Sequence, residues 1–221
     1  AAMVAAAPST PVTVKCRLGV DEHEDYGYFS AFVEAVAAIG CREFIVHARK
    51  AGLSGLSPKE NREIPPLRYD WVYRLKQERP DLRIVLNGGL VEVAQCREAL
   101  AHVDGVMIGR AAFQEPYRLH LIHAALFDTP VLPRRDLLRR LEPYVRAQLQ
   151  QGVALKHISK ALLGLFHAQP GGRLFRQILS QEAPSPQADW QVVEKALAQT
   201  EYESPPGSPV IPIGFSNSPD R

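Results

Sequence analysis

The sequence predicts an α/β protein: one side of a parallel β/α barrel, followed by a small all-α domain. Three observations carry this. Four short runs rich in β-branched residues begin at Val12, Phe44, Val85 and Val106, and each ends abruptly in glycine, histidine or a base. Buried parallel strands have this form, apolar along their length with polar residues gathered at the carboxyl end. Segments of helical spacing separate the runs, which implies a parallel sheet with right-handed crossovers. From about Leu119 onward the period is helical throughout, with no further strand-like run.

Taken in order, residues 1–7 are alanine-rich and read as the last turns of a helix that begins upstream. The first strand, 12–17, leads into an acidic loop at 21–25. A helix over 26–39 places Phe29, Phe32, Val33 and Val36 at i, i+3, i+4, i+7 spacing, and Gly40 closes it. A strand at 43–47 follows. The connection 48–69 is rich in Gly, Ser, Pro and charge. So long a loop in a compact fold is usually a functional excursion rather than idle linker. Asp70 is placed to cap a helix that runs to Glu78, with Val72 and Leu75 inward. The strand 83–86 ends in Asn87-Gly88-Gly89. A helix over 91–100 leads to the strand 105–108, which ends in Gly109-Arg110.

Pro130 and Pro133 mark the change of architecture. Helices are expected over 134–151, 155–167, 173–179 and 189–200. In the first of these Leu137, Leu138, Leu141, Val145 and Leu149 form an apolar stripe edged by arginines. Residues 202–221 carry Pro, Ser and Gly without periodicity and are expected to be disordered.

Composition narrows the class without naming it. Hydrophobic residues make up 46% of the 221-residue chain and charged residues 23%, as in ordinary globular proteins. A net charge of +2 gives no bulk attraction to nucleic acid, so any basic surface must be local. The three cysteines, Cys16, Cys41 and Cys96, share no metal-ligand spacing, and no metal is expected. Their scatter suits buried thiols in a reducing, cytoplasmic compartment. No run of about 18 apolar residues exists, so no membrane span is expected.

The strand ends hold the candidate chemistry, because in a β/α barrel the carboxyl ends of the strands carry the active site. Lys15 lies inside an otherwise apolar strand. Burying an unpaired ammonium is costly. Lys15 is therefore either paired with a carboxylate or held against an anionic or electron-accepting ligand. His47 ends the next strand and is either structural or part of the same rim. Asn87-Gly88-Gly89 and Gly109-Arg110 are weak signals singly, since such turns are common. On consecutive strands they fit the barrel's phosphate site, where glycines let backbone N–H groups approach an anion and Arg110 adds a positive fork.

Together these segments closely resemble the tRNA-dihydrouridine synthases. The resemblance rests on Val14-Lys15-Cys16-Arg17-Leu18-Gly19, His47-Ala48-Arg49-Lys50-Ala51, the loop from Leu53 to Leu67, Asn87-Gly88-Gly89 and the run from Asp104 to Ala111. The loop is similar to that of the A-type branch, which acts on uridines 20 and 20a of the tRNA D-loop. The resemblance implies the C-terminal half of a TIM (β/α)8 barrel in residues 1–126. A helical tRNA-binding domain would occupy 127–201 and a disordered tail 202–221. It also implies FMN as cofactor and NADPH as reductant. Lys15 and His47 would then contact the flavin, and Asn87, Gly88, Gly89, Gly109 and Arg110 would hold its phosphate. Lys59, Arg62, Arg173 and Arg176 would contact tRNA. The family's proton-donating cysteine and the first four strands have no counterpart in this sequence, so no catalytic residue is assigned to it. The parent enzyme is expected to be monomeric, and a half barrel with open strand edges is expected to self-associate and to be inactive alone. Two other readings stand beside this one: a non-catalytic RNA-binding fragment, and an unrelated phosphate-binding barrel enzyme.

Overall fold

The computed structural model describes residues 1–7, 9–53, 55 and 57–201. The chain forms two compact units, Ala1–Asp128 and a second from Thr129.

The first unit is built on a four-stranded parallel sheet in the order β1-β2-β3-β4. Its strands are β1 (Thr13–Arg17), β2 (Glu43–His47), β3 (Arg83–Asn87) and β4 (Gly105–Met107). Around them run α1 (Ala2–Ala6), α2 (Tyr26–Ala38), α3 (Tyr69–Glu78), α4 (Val93–Leu100), α5 (Arg110–Gln114) and α6 (Pro116–Phe127), with a 3₁₀ turn at Glu60–Arg62. In a strand successive side chains alternate between faces, so residues level with one another share a face. Phe44, Val46, Ile84 and Leu86 are fully buried and form the core with Phe29, Val33, Val72, Leu75 and Cys96. Each such side chain contributes about 1.5–3 kcal/mol of burial. The register sets the opposite face. Lys15, Ile45, Val85 and Gly105 are level in one row, and Arg17, His47, Asn87 and Met107 are level in the last row before the strands end.

This alternation corrects the reading of Lys15. It is exposed on the face away from the core, and among the described residues no carboxylate forms an ion pair with it. Phe32 is also displaced from its expected place: it is 42% exposed, while Phe29, Val33 and Ala37 form the buried stripe of α2. Asp25 caps that helix by accepting from the Tyr28 N–H at 2.8 Å. Asp70 is not a cap. It lies in the first turn of α3 and pairs with Arg68, the N-cap residue, at 3.3 Å. The expected helix at 91–100 begins at Val93, because a reciprocal capping box between Glu92 and Gln95 starts the helix there. The helix α5 was not expected, and α6 starts just ahead of the helical period noted from Leu119, where Pro116 opens it because a missing N–H costs nothing there. Cys41 and Cys96 are buried as expected, whereas Cys16 is only half-buried.

The described residues of the second unit contain α7 (Arg134–Arg139), α8 (Glu142–Gln150), α9 (Leu155–Ser159), α10 (Gly172–Glu182) and α11 (Trp190–Leu197) and no strand. The single helix expected over 134–151 is two. Pro143 sits in the first turn of α8 and has no N–H to continue α7. The expected helix 155–167 keeps only its first turn. Beyond it the N–H groups of Leu162, Leu165 and His167 bond three residues back, a tighter winding that accompanies the burial of Leu162, Leu165 and Phe166. Of the expected stripe, Leu138 and Val145 are buried and Leu141 is 38% exposed. Trp190, Phe166, Phe175 and Leu179 fill the core, with the Phe166 and Phe175 rings 4.7 Å apart. The tail expected at 202–221 lies outside the described residues. Among the described residues no helix is long and apolar enough to cross a membrane.

Candidate functional site

At the carboxyl ends of the strands a cavity of about 640 Å³ opens on the face away from the core. The lining includes Lys15, His47, Asn87, Gly88, Gly89, Gly109 and Arg110, so residues far apart in sequence and singled out from it meet at one place. Arg62 reaches the same wall from the 3₁₀ turn, while Lys59 is exposed and does not line the cavity. Arg173 and Arg176 lie in the second unit, three residues apart on α10, and both are exposed, whereas Phe175 and Leu179 of the same helix are buried.

His47 is the buried centre of the last row, only 8% exposed. Burial, reinforced by the positive charges of Arg17, Lys15, Arg49 and Arg110, pushes its pKa down to about 4. The imidazole is therefore neutral at physiological pH, with one ring nitrogen a donor and the other an acceptor. The glycine turn packs against its edge. A Cβ added to Gly88 would stand 2.8 Å from His47 Cδ2, and one added to Gly89 would stand 2.6 Å from Leu67 Cδ1. Both glycines also have positive φ, +113° and +70°, so backbone conformation and space both exclude a side chain. The Tyr69 hydroxyl donates to the Gly88 carbonyl and fixes the turn from outside. Asn87 has a structural role as well, since its Nδ2 donates to the Met107 carbonyl at 2.8 Å and ties β3 to β4. A Cβ on Gly109 would meet no protein atom within 4 Å, so this glycine faces open cavity.

Three participants were missed from the sequence. Arg17 lines the cavity and its Nη1 also donates to the carbonyls of Lys50 at 2.7 Å and Asn61 at 2.9 Å. Its place two residues after Lys15 on the same strand was the available signal, because a period of two puts both on one face. Arg118 lines the far wall but is bridged to Glu92 and to Glu115, the latter at 2.8 Å. Glu63 pairs with Arg110 at 2.6 Å, and nothing in the sequence pointed to it. With Arg118 offset by Glu92 and Glu115 and Arg110 by Glu63, Lys15, Arg17 and Arg62 leave the rest of the lining positive. A concave positive wall with two glycine turns attracts a compact anion.

Comparison with known proteins adds the family. The sequence profile described as "Dihydrouridine synthase (Dus)" matches residues 1–201. The chain belongs to the dihydrouridine synthase family. Among its relatives, the tRNA-dihydrouridine(20/20a) synthase of Xanthomonas axonopodis pv. citri is 58% identical over 203 residues, covering 92% of this chain and 61% of that protein. The protein of the same name from Xylella fastidiosa (strain Temecula1) is 61% identical over 198 residues, covering 89% of this chain and 60% of its own length. That of Pasteurella multocida is 48% identical over 192 residues, covering 86% and 59%. The chain thus spans about three-fifths of the length of these dihydrouridine synthases. A nitroalkane oxidase from Streptomyces ansochromogenes superposes on 61% of this chain and 45% of its own, at 20% identity and a TM-score of 0.32, too slight a likeness to carry an argument. The family match removes the unrelated phosphate-binding barrel from consideration.

None of the three cysteines lines the cavity. Cys16 neighbours Lys15 but lies on the core side of β1, where burial pushes its thiol up to about 11. It is a protonated, inert thiol at neutral pH.

Proposed function

We propose that this chain supplies the cofactor-phosphate side and the tRNA-gripping residues of a dihydrouridine synthase that reduces uridines 20 and 20a in the D-loop of tRNA. The observation that carries the reading is the convergence of Lys15, His47, Asn87, Gly88, Gly89, Gly109 and Arg110 on one positive cavity, in a chain whose relatives bear that name. The four parallel strands are then the second half of a (β/α)8 barrel spanning residues 1–126, and 127–201 form a helical RNA-binding domain. The longer relatives support the view that further strands complete the barrel.

The lining fits FMN. Gly88 and Gly89 line the cavity, Gly109 faces open space, and Arg110 offers a fork suited to a phosphate. Asn87, Gly88, Gly89, Gly109 and Arg110 would hold the phosphate, and Lys15 and His47 would lie beside the ring. When bound, FMN supplies the hydride for the uracil C5–C6 bond, with NADPH as reductant. Lys15 provides a fixed positive charge that favours an electron-rich ligand at the cavity wall. Neutral His47 orients ligand polar atoms by hydrogen bonding and does not deliver a proton at neutral pH, because its folded form refuses one until about pH 4. No cysteine of this chain lines the cavity, and no residue of it is assigned as the proton donor. The chain alone is therefore inactive in uridine reduction.

Lys59 and Arg62 on the loop, with Arg173 and Arg176 on α10, are the cations proposed to grip tRNA, whose target base must be unstacked to reach the cavity. The enzyme works in the cytoplasm, where its substrate is. The complete protein is a monomer, whereas β1 and β4, each paired on one side only, incline this chain to self-association. The test is FMN binding, followed by flavin fluorescence. Arg110→Ala removes a charge-assisted phosphate contact of about 1.5–3 kcal/mol and weakens binding accordingly. Unchanged flavin retention after dialysis refutes the assignment.

A further inference from the structure

The Arg110 guanidinium carries an anion of the protein's own: Glu63 Oε1 accepts from Nη1 at 2.6 Å. Glu63 ends the 3₁₀ turn of the 48–69 connection, 47 residues away in sequence, and its carboxylate reaches across to the residue that follows the Gly109 turn. Both side chains are about half exposed, 45% for Glu63 and 48% for Arg110, so the pair is held weakly enough to exchange partners. The backbone beneath it is held separately. Arg49 Nη1 donates to the Glu63 carbonyl at 3.1 Å and also to the Pro65 carbonyl, and Arg17 Nη1 donates to the Asn61 carbonyl at 2.9 Å. Asn61 in turn clasps Gly52 through both its side-chain amide atoms, at 2.6 and 2.5 Å. The carboxylate can therefore swing off Arg110 while the segment that bears it stays in place.

We propose that Glu63 is an internal competitor of the phosphate for Arg110, and that this competition holds the cavity's affinity for a phosphorylated ligand below what its cations alone would give. The inference rests on the phosphate-site reading above. A carboxylate and a phosphate are the two anions that a guanidinium fork matches, and two negative charges on one cation repel each other. A monovalent anion that touches Arg110 alone gains nothing by replacing Glu63. A phosphate dianion that also receives the amides of the Gly88-Gly89 and Gly109 turns can displace it. Glu63 thus lowers the affinity of the site for every anion that must take Arg110 from it, and leaves a ligand without a phosphate unaffected.

The experiment measures dissociation constants of FMN and riboflavin for the full chain by flavin fluorescence quenching. The proteins compared are the native chain, Glu63→Gln, Arg110→Ala and the double variant. Glu63→Gln keeps size and hydrogen bonding and removes only the charge. It is expected to tighten FMN on the order of tenfold, the effect of one unit charge removed near a phosphate at a half-exposed site, and to leave riboflavin unchanged. Arg110→Ala weakens FMN alone, and in its background the Glu63→Gln gain shrinks, because the contested cation is gone. If Glu63→Gln weakens FMN, Glu63 is a strut that orients Arg110; if it changes nothing, the pair is ordinary surface. Either result overturns the competition while Arg110→Ala still reports a phosphate site. If Arg110→Ala leaves FMN binding unchanged, or FMN binds no tighter than riboflavin, the phosphate-site reading falls and this inference falls with it.

Discussion

Acidification from about pH 7 to about pH 4 should destabilise the protein through His47, and the size follows from its surroundings. The ring is 8% exposed and faces Arg17, Lys15, Arg49 and Arg110, which together with burial lower its pKa from 6.5 to about 4. The unfolded chain takes up a proton at His47 below about pH 6.5, whereas the folded chain refuses it until about pH 4. More protons are thus bound by the unfolded state across this window, so stability falls as pH falls through it and is flat above it. The gap corresponds to roughly 3 kcal/mol when complete, a large part of a typical domain's stability. Carboxylates held low by their partners, such as Glu63, Glu78 and Asp81, also lose stability in acid. A comparison with His47→Gln, which does not titrate, removes their shared contribution. Urea denaturation at stepped pH should show the native protein losing stability relative to His47→Gln by roughly 3 kcal/mol as pH falls to about 4. The ring proton signals of His47 should titrate near 4. Parallel pH profiles for the two proteins, or a His47 signal titrating at its ordinary 6.5, refutes the account of the buried neutral imidazole.

Two further outcomes follow from the same geometry. Gly89→Ala should cost about 1–3 kcal/mol in urea denaturation, because its φ of +70° strains any L residue and its Cβ would stand 2.6 Å from Leu67 Cδ1; an unchanged midpoint shows that the turn relaxes freely. Replacing Lys59, Arg62, Arg173 and Arg176 with alanine should lower tRNA affinity in a filter-binding or anisotropy titration and flatten its dependence on salt, since each lost phosphate contact removes a released counterion. An unaltered slope makes the four residues ordinary surface.

The legible parts of the fold were those where one local pattern decides the outcome. The runs at Phe44 and Val85 are apolar and β-branched, and both became strands paired in parallel. The meeting of the strand ends beside one cavity was legible for the same reason, since parallel pairing brings every carboxyl end to one edge. Lys15 was misjudged because an apolar run was read as buried on both faces, while β1 has a core side at Val14 and Cys16 and an open side at Lys15 and Arg17. Asp70 looked like a cap because residue type was visible and backbone conformation was not. The cap that starts α4 needs the reciprocal geometry of Glu92 and Gln95. Glu63 was illegible for a different reason. Its contact with Arg110 spans 47 residues and depends on how a long connection folds back, which no periodicity encodes.

A crystal structure of the chain grown with FMN tests the central claim most directly. The account predicts the phosphate against the amides of Gly88, Gly89 and Gly109 with the Arg110 guanidinium on it, the ring beside Lys15 and His47, and the Glu63 carboxylate turned away. A flavin bound elsewhere, or none bound at saturating concentration with Glu63 still on Arg110, contradicts it.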